Sequence, residues 1–183
     1  IILKSNYKMD WEKVLLLKLK NEDYKSALSI LKNNILNSID EKESSICLIY
    51  VYLYIIVESN ISNNYDFINP LKLCFKKMYR QFNLDSSFLF YTAYMASRFG
   101  EFYLGIKEFE VMHMFCKALE IDSNNLLYQW GYDLYVKNLT LAQRKKYALY
   151  ILQSEPCINE LNKQPLLGES ILQHLHFEAF GMN

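Results

Sequence analysis

Apolar positions along the chain recur mainly at helical spacing, with polar and charged residues filling the gaps. The clearest stripe runs through Phe102, Ile106, Phe109, Met112 or His113, Cys116 and Leu119, with Lys107, Glu108, Glu110 and Lys117 among them. That period marks one face of an amphipathic helix and predicts one over 102–119. The same reasoning predicts helices near 10–20, 23–37, 66–82, 86–99, 125–138, 141–153 and 168–179. Asp10, Asp85 and Thr140 followed by Gln143 supply start signals, because a short oxygen-bearing side chain satisfies the free N–H groups of a first turn.

One stretch has no such alternation. The run ICLIYVYLYIIV at 46–57 is 12 residues long, well short of the roughly 20 needed to cross a bilayer, and polar residues follow it. Its aromatic and β-branched content also suits a buried strand. Upstream, Ser38 with Glu41, or Asp40 with Glu43, has the spacing of a capping box, which favours a central helix over 40–58. No Asn-Gly or Asp-Gly hairpin signal occurs, and Asn69-Pro70, Glu155-Pro156 and Gln164-Pro165 read as breaks. The expectation is an all-α fold: one domain over 1–183, an irregular stack of about eight or nine antiparallel helices, with longer connections only at 59–66 and 155–167. Met9 is a candidate start, and residues 1–8 are expected to be frayed or foreign to the domain.

Charge then removes two classes of partner. Lys plus Arg and Asp plus Glu each number 20, so no net field steers the chain toward nucleic acid or an anionic membrane. Lysine outnumbers arginine 17 to 3, Asn and Ile each reach 16, and Ala only 7, a usage that reflects AT-rich codons. Cys47, Cys74, Cys116 and Cys157 are scattered without short paired spacing, and no cleavable leader is legible before them. Buried thiols in a reducing, cytoplasmic setting are therefore expected.

Catalytic and metal-binding patterns are thin. Glu110 and His113 make one E-x-x-H, half of a di-iron set whose second copy is missing, and His113 with Cys116 offers two zinc ligands without a local third. His174 and His176, two apart on a helix, point to different sides. No nucleophile elbow or Gly-rich phosphate loop surrounds any cysteine or histidine. The expectation is a non-enzyme with no cofactor and no metal.

Tyrosine is the informative excess. Tyr128, Tyr132 and Tyr135 fall at i, i+4 and i+7 on one helix face, and Tyr147 with Tyr150 repeats the pattern on the next helix. Such rings suit either a core edge or a protein interface. Tyr50, Tyr52 and Tyr54 are expected to pack centrally, and Lys76, Lys77, Lys145 and Lys146 to form solvated helix faces. Acidic patches at Asp40, Glu41 and Glu43, or at Glu101, Glu108 and Glu110, offer charge to a basic partner.

Two segments resemble tetratricopeptide repeats. In KNEDYKSALSIL, residues Asn21 to Tyr24 and Ala27 look like that repeat's turn and second helix; in KALEIDSNN, Ala118, Leu119, Ile121 and Asp122 look like a repeat's end, with Ser123 where the family has proline. The resemblance implies stacked antiparallel helix pairs and a protein-binding habit. By size, composition and irregular helical build the chain also resembles bacterial immunity proteins of contact-dependent inhibition systems. The expected function is thus a cytoplasmic module that binds and neutralises a toxin domain, with Tyr128, Tyr132, Tyr135, Tyr147, Tyr150, Glu101 and Glu108 as contact residues. The alternative is a secretion chaperone or scaffold that cradles an extended peptide.

Overall fold

The computed structural model describes residues 10–59, 63–137, 139–164 and 166–181. The expected fraying of 1–8 lies outside the described residues. The chain is all-α. Among the described residues there are ten α-helices: α1 (Asp10–Lys20), α2 (Tyr24–Leu36), α3 (Glu41–Val57), α4 (Ile68–Phe82), α5 (Ser86–Phe99), α6 (Glu108–Ile121), α7 (Leu126–Val136), α8 (Leu141–Gln153), α9 (Glu155–Leu161) and α10 (Leu167–Phe180). Two 3-10 turns, Asn64–Phe67 and Glu101–Tyr103, precede α4 and α6. No described helix is long and apolar enough to cross a membrane.

The apolar run resolves as α3, and its lack of a polar side follows from its position. It packs against α2, α4 and α5, so Ile46, Cys47, Ile49, Leu53 and Ile55 are wholly buried. Burial on all sides removes the alternation that a surface helix shows. Of the three tyrosines on it, Tyr52 is buried, but Tyr54 lies near the surface, 37% exposed. From α5 the chain builds its second half: α6 packs on α5, α7 on α5 and α6, and α8 is joined to α7, α9 and α10.

Side-chain chemistry sets the start of five described helices, with Asn125 capping α7 and Ser154 capping α9 beside three further cases. Asp85 Oδ1 accepts from the Phe88 N–H at 2.8 Å, Asp23 Oδ1 from the Ser26 N–H at 3.2 Å, and Thr140 and Gln143 cap α8 reciprocally. At α3 the expected capping boxes do not form. Ser38 and Asp40 both adopt positive φ, 52° and 42°, because the turn that closes α2 leads directly into α3. Asp40 makes no side-chain cap, and Glu41 accepts instead from Gln81 at 2.8 Å.

Two other expectations are corrected. The 102–119 helix starts only at Glu108, because Gly100 and Gly105 take φ of +109° and +75° and hold a 3-10 turn between them. The connection at 155–167 contains α9. Pro156 opens that helix instead of breaking the chain, since a proline in a first turn lacks only an N–H that would have no helical partner, and Pro70 sits likewise in the first turn of α4.

Candidate functional site

The largest concavity is a groove of about 990 Å³ between α4 and α6. Both helices touch the central ones, α4 through α3 and α6 through α5. The lining residues run from Lys72 to Arg80 on α4 and from Phe109 to Cys116 on α6, which makes the groove roughly 10–12 Å long at 1.5 Å per residue. Phe75, Leu104 and Met114, all nearly inaccessible, contribute its apolar base. Phe109 and Met112 stand at the edge, 60% and 42% exposed.

The α4 wall is basic. Lys72, Lys76 and Arg80 recur at i, i+4 and i+8, so their charges repeat about every 6 Å along the groove. None of the three forms an ion pair among the described residues. The Lys72 stem lies where a Cβ on Gly105 would come within 3.3 Å of its Cδ, so the glycine serves both the positive φ and this close approach. Opposite, Glu110 Oε2 accepts from the Lys107 N–H at 2.9 Å. Burial, and then Glu110, push the Tyr79 hydroxyl above its ordinary value, which places Tyr79 and Glu110 within electrostatic reach of each other.

Comparison with protein-family models, curated proteins and solved structures returns no match. The candidate site therefore stands on its own geometry. His113 and Cys116 also line the groove, but no group of three or more His, Cys, Asp or Glu among the described residues is placed to hold a metal ion.

The sequence-predicted contact residues do not form one surface. Tyr128 is 2% exposed and stacks on Phe90 with ring centroids 4.7 Å apart, so it serves the core. Tyr132 and Tyr135 are half-buried, the latter packed 5.6 Å from Phe115, with Glu101 and Glu108 acting on its hydroxyl. Tyr147 and Tyr150 line a separate groove beside α7 and α8, and Tyr150 is 53% exposed. Lys76, Lys77, Lys145 and Lys146 are all exposed, as expected, and of them Lys76 also borders the α4–α6 groove and Lys146 the one beside α7 and α8.

Tyr147 has a structural partner. Its hydroxyl donates to Asp133 Oδ2 at 2.5 Å, while Lys137 Nζ and Gln129 Nε2 reach Oδ1 at 2.7 and 2.9 Å. Burial raises the Asp133 pKa, but these bonds outweigh it and leave the carboxyl below its ordinary value. A folded-state pKa depressed in this way stabilises the fold above the unfolded value, and the stabilisation disappears as pH falls through the folded one. Asp133→Asn should cost about 1–3 kcal/mol at neutral pH, with the gap to the parent narrowing below about pH 4. Urea unfolding across that range checks it; a gap that is constant with pH would remove Asp133 as an ionised anchor.

Proposed function

We propose that the chain is a protein-binding module that seats an amphipathic helix of a folded partner in the α4–α6 groove. The supporting observation is the combination of an apolar base with three unpaired cations at one-turn spacing. A partner helix carrying carboxylates one turn apart beside an apolar stripe repeats at the same interval. The unlike charges fix register and speed the encounter, and the apolar face supplies affinity. The resemblance of the α1–α2 turn segment to a tetratricopeptide repeat agrees with a protein-binding habit. In its most specific form the partner is a bacterial toxin domain and the chain its immunity protein, a reading that rests on size, composition and irregular helical build.

The test is co-expression with the product of the adjacent gene. Lys76→Glu combined with Met112→Glu should weaken a complex by at least about 100-fold, roughly 2.7 kcal/mol, and abolish rescue of growth. Tyr150→Ala should leave both intact. If Tyr150→Ala dissolves the complex and the groove variant does not, the α7–α8 surface is the interface and the present assignment fails. A partner segment that binds without gaining helical circular dichroism would favour the chaperone reading.

A further inference from the structure

Of three arginines in a chain that otherwise relies on lysine, two converge on one small pocket. It measures about 170 Å³, opens between α5, α7, α8 and α10, and is lined by Arg98, Arg144, Tyr94, Leu134, Tyr135 and His174 among others. Arginine differs from lysine in offering a rigid planar fork of donors, which matters where a flat anionic group is held.

One wall of the pocket is fixed by a hydrogen-bonded series. Tyr94 Oη lies 2.8 Å from His174 Nδ1, and His174 Nε2 lies 3.3 Å from Glu178 Oε1. Burial pushes the Tyr94 hydroxyl far above its ordinary value against the opposite pull of Arg98, so the hydroxyl keeps its proton at neutral pH. Tyr94 and Glu178 between them occupy both ring nitrogens of His174, and neither is left for a ligand. Trp130, wholly buried, braces the wall with its ring 5.7 Å from that of Tyr94 and 5.6 Å from that of His174.

The two guanidinium groups are not equally engaged. Arg144 donates from Nε to the Leu139 carbonyl at 3.2 Å, and its charge acts on Glu178. Burial raises the Glu178 pKa, but His174 and Arg144 prevail and hold the carboxyl below its ordinary value. Arg98 is exposed and forms no ion pair among the described residues. Arg98 and Arg144 are the two permanently charged side chains that line the pocket itself, and the Glu178 carboxylate lies behind His174. Glu101 and Glu108 act on the Tyr135 hydroxyl but line no part of the pocket.

We propose that this pocket binds the carboxylate of a small monocarboxylic acid, held between Arg98 and the free Nη groups of Arg144. The carboxylate would meet the two guanidinium groups, and Leu134 with the Tyr94 ring provides apolar surface for a short tail. A phosphate dianion would bring a second charge close to the buried Glu178 carboxylate, which opposes it. The site is independent of the α4–α6 groove, since none of the pocket residues belongs to α4 or α6.

The small number of arginines makes the test direct. In a nitrogen-15 spectrum only three Nε–H side-chain signals are expected, so the pocket pair is followed separately from Arg80, which reports on the other groove. Titration with butyrate should move the Arg98 and Arg144 signals saturably, at a lower concentration than any shift of Arg80. Arg98→Gln, at an exposed position, should keep the parent melting temperature and weaken butyrate binding about tenfold. Three signals drifting together without saturation would overturn the assignment even if the variant could not be made. So would unchanged affinity in Arg98→Gln, or inorganic phosphate binding more tightly than butyrate.

Discussion

Replacing Gly168 by alanine should destabilise the fold by about 3 kcal/mol, a large loss for one methyl group. Its Cβ would stand 2.0 Å from the Leu161 carbonyl oxygen and 2.8 Å from the carbonyl carbon. Neither atom belongs to a flexible side chain. Leu161 ends α9, and its carbonyl already accepts from the Gln164 N–H at 2.9 Å, so the backbone there is held. The methyl group would force α10 away from α9 and loosen Leu167, Ile171 and Leu175, all wholly buried. Urea unfolding monitored by circular dichroism measures the loss. A midpoint shift worth less than about 1 kcal/mol would mean that α9 and α10 do not approach as described.

Trp130→Ala should cost about 3–5 kcal/mol, the range for deleting a large buried ring. Trp130 is 0% exposed and is the largest of the wholly buried side chains. Its loss would leave Tyr94 and His174 without the ring that packs against both. Trp130→Phe should cost far less, because it retains most of the apolar volume. Equal losses for the two variants would show that the indole nitrogen, and not the ring's bulk, is what matters there.

How much of this was legible beforehand depended on whether the signal was local. The stripes behind α2, α5 and α8 and the caps at Asp85 and Thr140 were readable because a helix face and a first turn each involve residues within a few positions. Helix α9 was hidden by Pro156, whose missing N–H looks the same at a break and in a first turn. Tyr128 could not be told from Tyr150 by period, since both lie on amphipathic faces and only packing sends one against Phe90 and the other to solvent. Lys76 was legible only with Lys77 as a solvated helix face; that it borders a groove with Lys72 and Arg80 depends on α6, remote in sequence. Arg98 and Arg144 carry no local pattern at all.

The hydrogen bond from Tyr94 to His174 spans 80 positions, and that from Tyr91 to the Glu160 carbonyl spans 69. The faces of α5 and α7 are therefore completed only by α9 and α10, far downstream in sequence. During synthesis α5 and α7 leave the ribosome well before those partners exist, and their aromatic faces must wait in water until the later helices emerge. A nascent chain stalled before α10 would leave the Trp130 ring without the His174 side that covers it.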